Sequence, residues 1–276
     1  MMAEYDIHPV FVFDGKPPEL KMRTLRERRI YRERARKEWE EAVQRKDLAT
    51  AWSKAVRMDS LTQPMQDDAK KLLELLGIPF VQAPEEGEAQ AAYMAAQGDV
   101  WAANSRDYDS ILFGTPRLVR YVTISGQEFL PSRGIARPLI PELIELEELL
   151  KRLEVTREQL IDMAILIGTD FNKGAKGVGP KTAHKLIQQY HSLEALPDGY
   201  RSLLGESVDQ VREIFIKPRV TDEYKIEYAG LKEGELRRFL CEERGFSTDR
   251  VELAIRRMGE FYARQRTTLT TWLGKN

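Results

Sequence analysis

The chain has 276 residues, 43 Lys and Arg against 44 Asp and Glu, and three His, so its formal net charge is −1 and global charge names no partner. With 42% hydrophobic and 32% charged residues it can bury a sizeable core as one large domain or two smaller ones, which excludes disordered, collagen-like and coiled-coil classes. It has no apolar run of about 18 residues and no signal-like N-terminus, so the expectation is a soluble intracellular protein without a membrane partner. A single cysteine, Cys241, excludes an internal disulfide and a thiolate zinc site, and His8, His184 and His191 are too few for a histidine-rich one, so any metal would be held by oxygen.

In chain order, residues 8–13 (HPVFVF) read as a buried strand stopped at Asp14-Gly15, with Lys16-Pro17-Pro18 blocking continuation. A charged helical stretch follows over 20–57, whose apolar positions (Leu25, Trp39, Val43, Leu48, Trp52, Val56) are too sparse for a core helix and suit an arm over the surface. Within it, residues 21–37 carry nine basic and two acidic side chains, a local charge of +7 that leaves −8 elsewhere, as in a nucleic-acid-facing strip beside an acidic site. Thr62-Gln63-Pro64 opens an amphipathic helix that Gly77 ends, 78–82 is a short strand, Pro84 opens a helix over 85–97, and 100–103 is a strand. Strand and helix alternate, which predicts a parallel α/β sheet. Residues 118–124 and 128–131 read as a hairpin or sheet edge around Ser125-Gly126. Beyond Pro141 the pattern is helical: 142–153, then 156–167 with the capping-box pair Thr156 and Gln159, a glycine-bearing loop over 173–179, a helix over 180–190, and two more between 235 and 265.

Six acids occupy related places: Asp14 after VFVF, Glu86 and Glu88 after IPFVQAP, Asp107 and Asp109 after VWAANSR, and Asp170 after AILIGT. In an open parallel sheet the carboxyl ends of strands share one edge, so acids following three strands converge there, and Asp170 can join from the side. Asp107 and Asp109, two apart, would face the same way at a strand end, and Glu86 and Glu88 fall in the first turn of a helix, whose dipole favours ionised carboxylates. Such a cluster needs cations or protons; without His or Cys it suits hard ions, Mg²⁺ or Mn²⁺, a pair of which can clamp a phosphoryl group for in-line attack by water. Lys21 and Arg28, seven apart, share one helix face close after Asp14 and can hold a phosphate or stabilise transition-state charge. Gly177-Val178-Gly179-Pro180-Lys181 is a tight turn feeding a helix N-terminus, and Lys173, Lys176, Lys181 and Lys185 around it suit backbone contact with DNA.

VFVFDGKPPELK, APEEGEAQAAYMA, SRDYDSILFG and ILIGTDFNKGAKGVGPKTA resemble, in order and spacing, signature segments of the flap endonucleases, the structure-specific 5′ nucleases of DNA replication and repair. The resemblance runs from about residue 8 to the C-terminus. It implies an α/β fold: a PIN-like, mostly parallel sheet flanked by helices, with a helical arch at about 20–60 and a C-terminal helical DNA-binding part. The implied division is a nuclease domain over 1–149, a helical part with a helix-turn-helix element over 150–258, and a tail over 259–276. The implied reaction is metal-dependent 5′ flap endonuclease and 5′–3′ exonuclease cleavage of DNA by a monomer. On this chain the metal-binding positions of the family fall on Asp14, Glu86, Glu88, Asp107, Asp109 and Asp170, holding two Mg²⁺ for which Mn²⁺ can substitute. The catalytic cations fall on Lys21 and Arg28. Arg29, Lys173, Lys176, Gly177, Gly179, Lys181 and Lys185 are the implied DNA contacts, with K⁺ at the Gly177 to Gly179 loop. The tail, RTTLTTWL, has the spacing of a sliding-clamp-binding (PCNA) box through Leu269, Trp272 and Leu273, departing from it at Arg266 and Leu273. Location would be cytoplasmic in a prokaryote and nuclear in a eukaryote.

Family members carry a long segment before the VFVFDGK strand, including a core strand and one further metal-binding Asp, where this sequence has only MMAEYDI. The alternative expectation is therefore a catalytically impaired, poorly stable DNA- and clamp-binding remnant of the same family. A further rival is a helical DNA-binding adaptor without a metal site.

Overall fold

The computed structural model describes residues 5–47, 50–51, 53–54, 61–122, 126–130, 135–205 and 207–273, the side chains of 129 and 265–273 excepted. In chain order the elements are β1 (Phe11–Phe13), α1 (Met22–Gln44), α2 (Gln63–Leu76), β2 (Phe80–Gln82), α3 (Gly87–Gln97), β3 (Ala103–Asn104) and the one-turn α4 (Asp109–Leu112). There follow β4 (Arg117–Arg120), β5 (Gln127–Leu130), β6 (Ile135–Pro138), β7 (Glu142–Glu145), α5 (Leu146–Leu153), α6 (Arg157–Ile167) and α7 (Pro180–Tyr190). The last are α8 (Asp198–Arg201), α9 (Val208–Ile216), α10 (Glu233–Arg237), which runs on as a π-helix over Arg238–Glu243, and α11 (Thr248–Leu273). The class is α/β. No helix among the described residues is long and apolar enough to cross a membrane.

These elements form two compact units of discontinuous segments, one from residues 1–13, 60–81 and 223–276, the other from 14–59 and 82–222. This differs from the division in chain order at 149 and 258: the segment from 223 onward shares its contacts with residues 60–81. In the first unit, Leu75 of α2 packs with Leu236, Phe239, Val251 and Ile255. The Tyr262 hydroxyl donates to Leu76 O (2.7 Å) and that of Tyr228 to Pro9 O (2.7 Å). β1 and β2 pair as a two-stranded sheet.

The second unit holds the three-stranded sheet β3–β4–β7 and the larger core. β3 and β4 run parallel (Ala103 opposite Leu118), whereas β7 adds to β4 antiparallel (Leu118 opposite Ile144). The helix expected over 142–153 is thus a strand to Glu145 and a helix only from Leu146, because pairing along all four residues of β4 outweighs the local helical pattern. β4 is flanked on both sides, so the expected hairpin partner β5 pairs with β6 instead (Glu128 opposite Arg137). Ser125 lies outside the described residues, as do Leu48, Trp52 and Val56 of the expected arm, whose described helix ends at Gln44.

Helix α6 is the spine of this core, burying Ile161, Ile165 and Leu166 completely, and its capping box forms as expected: Thr156 Oγ1 accepts from Gln159 N–H (3.2 Å) while Gln159 Oε1 accepts from Thr156 N–H (2.9 Å). Three further ties hold it. Arg157 donates to Leu112 O at the end of α4 (3.0 Å) and to Phe215 O on α9 (2.7 Å). Buried Asp162 accepts from Arg212 Nε (2.9 Å) and from Leu193 N–H (3.3 Å). The Phe215 ring, fully buried, contacts Phe113 (5.1 Å) and Phe171 (5.4 Å).

The turn after α6 folds back tightly enough that a Cβ on Gly174, at φ +69°, would lie 2.4 Å from Ile167 O; Gly177, at φ +86°, faces open space. Gly174→Ala is therefore expected to lower stability well beyond the roughly 1–2 kcal/mol of left-handed backbone strain, and Gly177→Ala by no more than that strain. Denaturant unfolding of both variants against the parent checks the order.

Candidate active site

Asp14 follows β1 directly, and the next two residues lie against the loop leaving β2: Gly15 N–H donates to Glu85 O (2.6 Å) and Lys16 N–H to Pro84 O (3.2 Å). A Cβ on Gly15 would come within 2.2 Å of Ala83 O, so the approach requires glycine. It brings Asp14 Oδ1 to 2.7 Å from Gly87 N–H, where the α3 dipole and a free amide favour an anion. Glu86 is the N-cap residue of α3, one place earlier than expected, and Glu88 is in the first turn. Three of the six acids thus meet at one helix end.

Asp107 and Asp109 do not lie on a strand. The Ser105 N–H still donates to Val119 O (3.2 Å), but the chain then turns, leaving Asp107 exposed in the turn and Asp109 at the start of α4. Ser105 organises this corner: its hydroxyl donates to Glu88 Oε1 and accepts from Asp107 N–H (3.1 Å). Asp170 comes from the turn after α6, which Asn172 closes by accepting from the Thr169 hydroxyl (2.8 Å) and donating to Ile165 O (2.7 Å).

Lys21, the N-cap residue of α1, and Arg28 reach these acids from one helix face. Lys21 Nζ donates to Glu86 Oε2 and lies 3.5 Å from Asp170 Oδ2, and Arg28 Nη2 donates to Asp170 Oδ1 (2.7 Å). The Thr24 hydroxyl between them donates to Asp170 O (2.7 Å). Asp14, Glu86 and Glu88 are thus joined at the start of α3, Lys21 and Arg28 tie Asp170 to them, and the charges of Asp107 and Asp109 act on the same group.

The electrostatics follow. Burial pushes Glu88 up to about 7, the charges of Asp109, Asp107 and Asp14 adding to it against the Ser105 hydrogen bond. Burial likewise pushes Asp109 up to about 6, with Asp170 and Asp107 adding and Lys21 opposing. Glu86 is raised by burial, and by Asp14 and Asp170, against the pull of Lys21. Burial works against the Lys21 ammonium, yet Glu86, Asp170 and Asp14 hold its pKa above the usual lysine value.

A hard divalent cation fits this donor set. Every donor is a carboxylate oxygen, and Glu88 Oε2 is buried without a hydrogen-bond partner. Among the described residues no three acids, histidines or cysteines surround a single point, and Lys21 and Arg28 engage Glu86 and Asp170.

The remaining expected positions lie apart from this cluster. Arg29 is exposed on α1 and pairs with Glu33 (3.1 Å). Lys173, 3.5 Å from Glu27, and Lys176 sit on the loop between α6 and α7 with Gly177 and Gly179, and Lys181 and Lys185 stand on α7, all four lysines exposed. The side chains of Leu269, Trp272 and Leu273, on α11, lie outside the described residues. Sequence reasoning missed Ser105, two residues before Asp107, and Thr24, three residues after Lys21 on the same helix.

Glu88 and Asp109 hold protons more tightly in the folded chain than at the ordinary carboxylate value of about 4 in the unfolded one. Their contribution to stability is therefore fully present below about pH 4 and is lost as pH rises through about 6 and 7. In EDTA, the melting temperature is expected to fall between about pH 5 and 8, less steeply in Glu88→Gln, and added Mn²⁺ should restore it. Calorimetry across that range checks the sign.

Comparison with known proteins bears on the same residues. The XPG I-region family matches residues 77–170 and the XPG N-terminal domain family matches residues 1–35. Flap endonuclease 1 of Caldivirga maquilingensis is 48% identical over 279 residues, covering 99% of this chain and 80% of the relative; that of Pyrococcus abyssi is 46% identical over 278 residues with the same coverage. The structure of flap endonuclease-1 from Methanococcus jannaschii matches at TM-score 0.70 and 38% identity, over 96% of this chain and 79% of that one. The catalytic core of Rad2 in complex with DNA substrate shares the fold at TM-score 0.67 and 23% identity, over 92% of this chain and 80% of that one. With relatives this similar over nearly its whole length, and with its acids and cations drawn together from the segments first singled out, the chain belongs to the flap endonuclease family.

Proposed function

We infer that the carboxylate cluster is the centre at which this structure-specific nuclease hydrolyses a DNA phosphodiester at the base of a 5′ flap. The observation that carries the assignment is the meeting of six acids with Lys21 and Arg28, charges of both signs in the place where a phosphate and its counterions would be held. Divalent cations, on which nucleases of this family depend, supply polarisation of the phosphate and neutralisation of the acids when bound. Two Mg²⁺ ions, or Mn²⁺ in their place, suit an all-oxygen set in which Asp14, Glu86, Glu88, Asp107, Asp109 and Asp170 would be the holders.

The chain's own groups have separable tasks. Ser105 fixes Glu88 Oε1 and leaves Oε2 available. Lys21 and Arg28 transfer their hydrogen bonds from Glu86 and Asp170 to the phosphate, where charge develops in the transition state. The exposed lysines Lys173, Lys176, Lys181 and Lys185, with the N-terminus of α7 at Gly179 and the Gly177 turn, suit the phosphates of a duplex and, at that turn, K⁺. Arg29 adds to the basic face of α1. The RTTLTTWL tail suits a sliding clamp (PCNA), and we place the protein inside the cell as a monomer.

The assignment is tested by cleavage of an end-labelled 5′ flap substrate in Mg²⁺. Asp109→Ala or Asp107→Ala is expected to abolish turnover while flap affinity stays within a few-fold, because acids hold cations and basic residues hold DNA; equal turnover in variant and parent would remove these acids from the centre. Lys21→Ala and Arg28→Ala are expected to slow single-turnover cleavage by about 100-fold or more with a much smaller loss of binding. Loss of affinity alone would reduce both to binding residues.

A further inference from the structure

Tyr108 stands between Asp107 and Asp109, so its Cα is about 3.8 Å from each of theirs. Its side chain is 56% exposed. The ring is nonetheless fixed: its oxygen accepts from Arg120 Nη1 (2.5 Å), and the Arg120 guanidinium lies over it, 4.0 Å from the ring centroid. Arg120 is itself locked, only 7% exposed, with Nε and Nη2 donating to Arg106 O (3.1 and 2.8 Å) and Nη1 reaching Glu142 Oε2 (3.2 Å). The Tyr121 ring covers it at 4.4 Å. Tyr121 sits at φ +64°, a conformation that a bulky residue holds only when its surroundings enforce it.

The result is a stack of Tyr121, Arg120 and Tyr108 in which Arg120 is buried, Tyr121 half-buried and the Tyr108 ring open to solvent. If the stack served only to anchor the loop, nothing would require the outermost ring to stay exposed. A second arginine–aromatic pair on the same strands makes the contrast: Arg117 lies 5.3 Å from the exposed Trp101 ring, at the end of β3 and β4 away from the acids, and the Arg117 side chain is half-buried. The Tyr108 stack alone is both locked and joined to the acid-bearing turn.

We propose that Tyr108 is a stacking platform for a nucleobase of the DNA strand, next to the phosphate being cut. This rests on the reading of the acids as the catalytic centre. A rigid ring with one face occupied by a guanidinium presents its other face to any base, because every base has a π-surface, so recognition is independent of sequence. Its role is to set which phosphate reaches the acids, by holding the neighbouring nucleotide.

The test uses flap substrates with a single abasic site placed in turn on either side of the cut, with affinity read by fluorescence anisotropy and cleavage position by gel. The parent is expected to lose roughly ten-fold in affinity at one abasic position and to shift its cut there. Tyr108→Phe keeps the ring under Arg120 but loses the hydrogen bond, so it should retain the same position-dependent abasic loss, whereas Tyr108→Leu should be weaker on intact DNA by that factor and indifferent to the same abasic site. A 2-aminopurine at that position should be quenched by the parent and not by Tyr108→Leu. If the parent shows no position-dependent loss and no quenching, or if Tyr108→Leu is weaker by one factor on every substrate, the ring only braces the loop and the proposal is wrong. The binding readouts need no cleavage, so a parent that shows the abasic signature without cutting flaps would overturn the assignment of the acids and leave the platform standing.

Discussion

Six carboxylates that share one small region repel one another, by about 4 kcal/mol for a pair 4 Å apart at an effective dielectric near 20, and the surrounding structure is organised to bear that repulsion. The end of α3 offers Asp14 an amide and a dipole. Lys21 and Arg28 neutralise Glu86 and Asp170, Ser105 hydrogen-bonds Glu88, and protons remain on Glu88 and Asp109 to higher pH than usual. The long charged α1 starts where it does because its first two turns are tied to these acids. A sparse apolar face is enough for a helix anchored in this way.

The second requirement is that the acids stay where repulsion would scatter them, and here the core and the site are one construction. Phe215 sits between Phe113, which follows the helix bearing Asp109, and Phe171, which follows Asp170. Arg157 joins the carbonyl at the end of that helix to the carbonyl of Phe215. Two loops distant in sequence are thus held from one buried ring and one guanidinium. This work falls to residues with no chemistry of their own.

The acids were legible because position along the chain carries physical meaning: each follows an apolar run, and the ends of such runs converge. The capping box at Thr156 and the helix ended by Gly77 were legible for a similar local reason. What was not legible depended on partners far away in sequence. Residues 142–145 have a helical pattern, yet pair as a strand because β4 offers an open edge. Asp107 and Asp109 satisfy the strand period, but β3 is only two residues long in the described chain, so the period never applies. The burial of Asp162 depends on Arg212, which reaches it from 50 residues on. Ser105 and Thr24 were invisible because a single hydroxyl has no pattern; only its neighbours give it a role.

On the function proposed above, the ties between α1 and the acids would also couple two kinds of ligand. Lys21 and Arg28 occupy the same oxygens of Glu86 and Asp170 that a divalent cation would claim, so a cation that takes those oxygens sets both basic side chains free. A DNA phosphate that captures Lys21 and Arg28 releases the oxygens in turn. Each ligand removes the competitor of the other, and reciprocity requires that whatever factor the metal adds to DNA affinity, DNA adds to metal affinity. On that reading Lys21 and Arg28 offset part of the acids' charge, and cation loading would rise with the arrival of the strand to be cut.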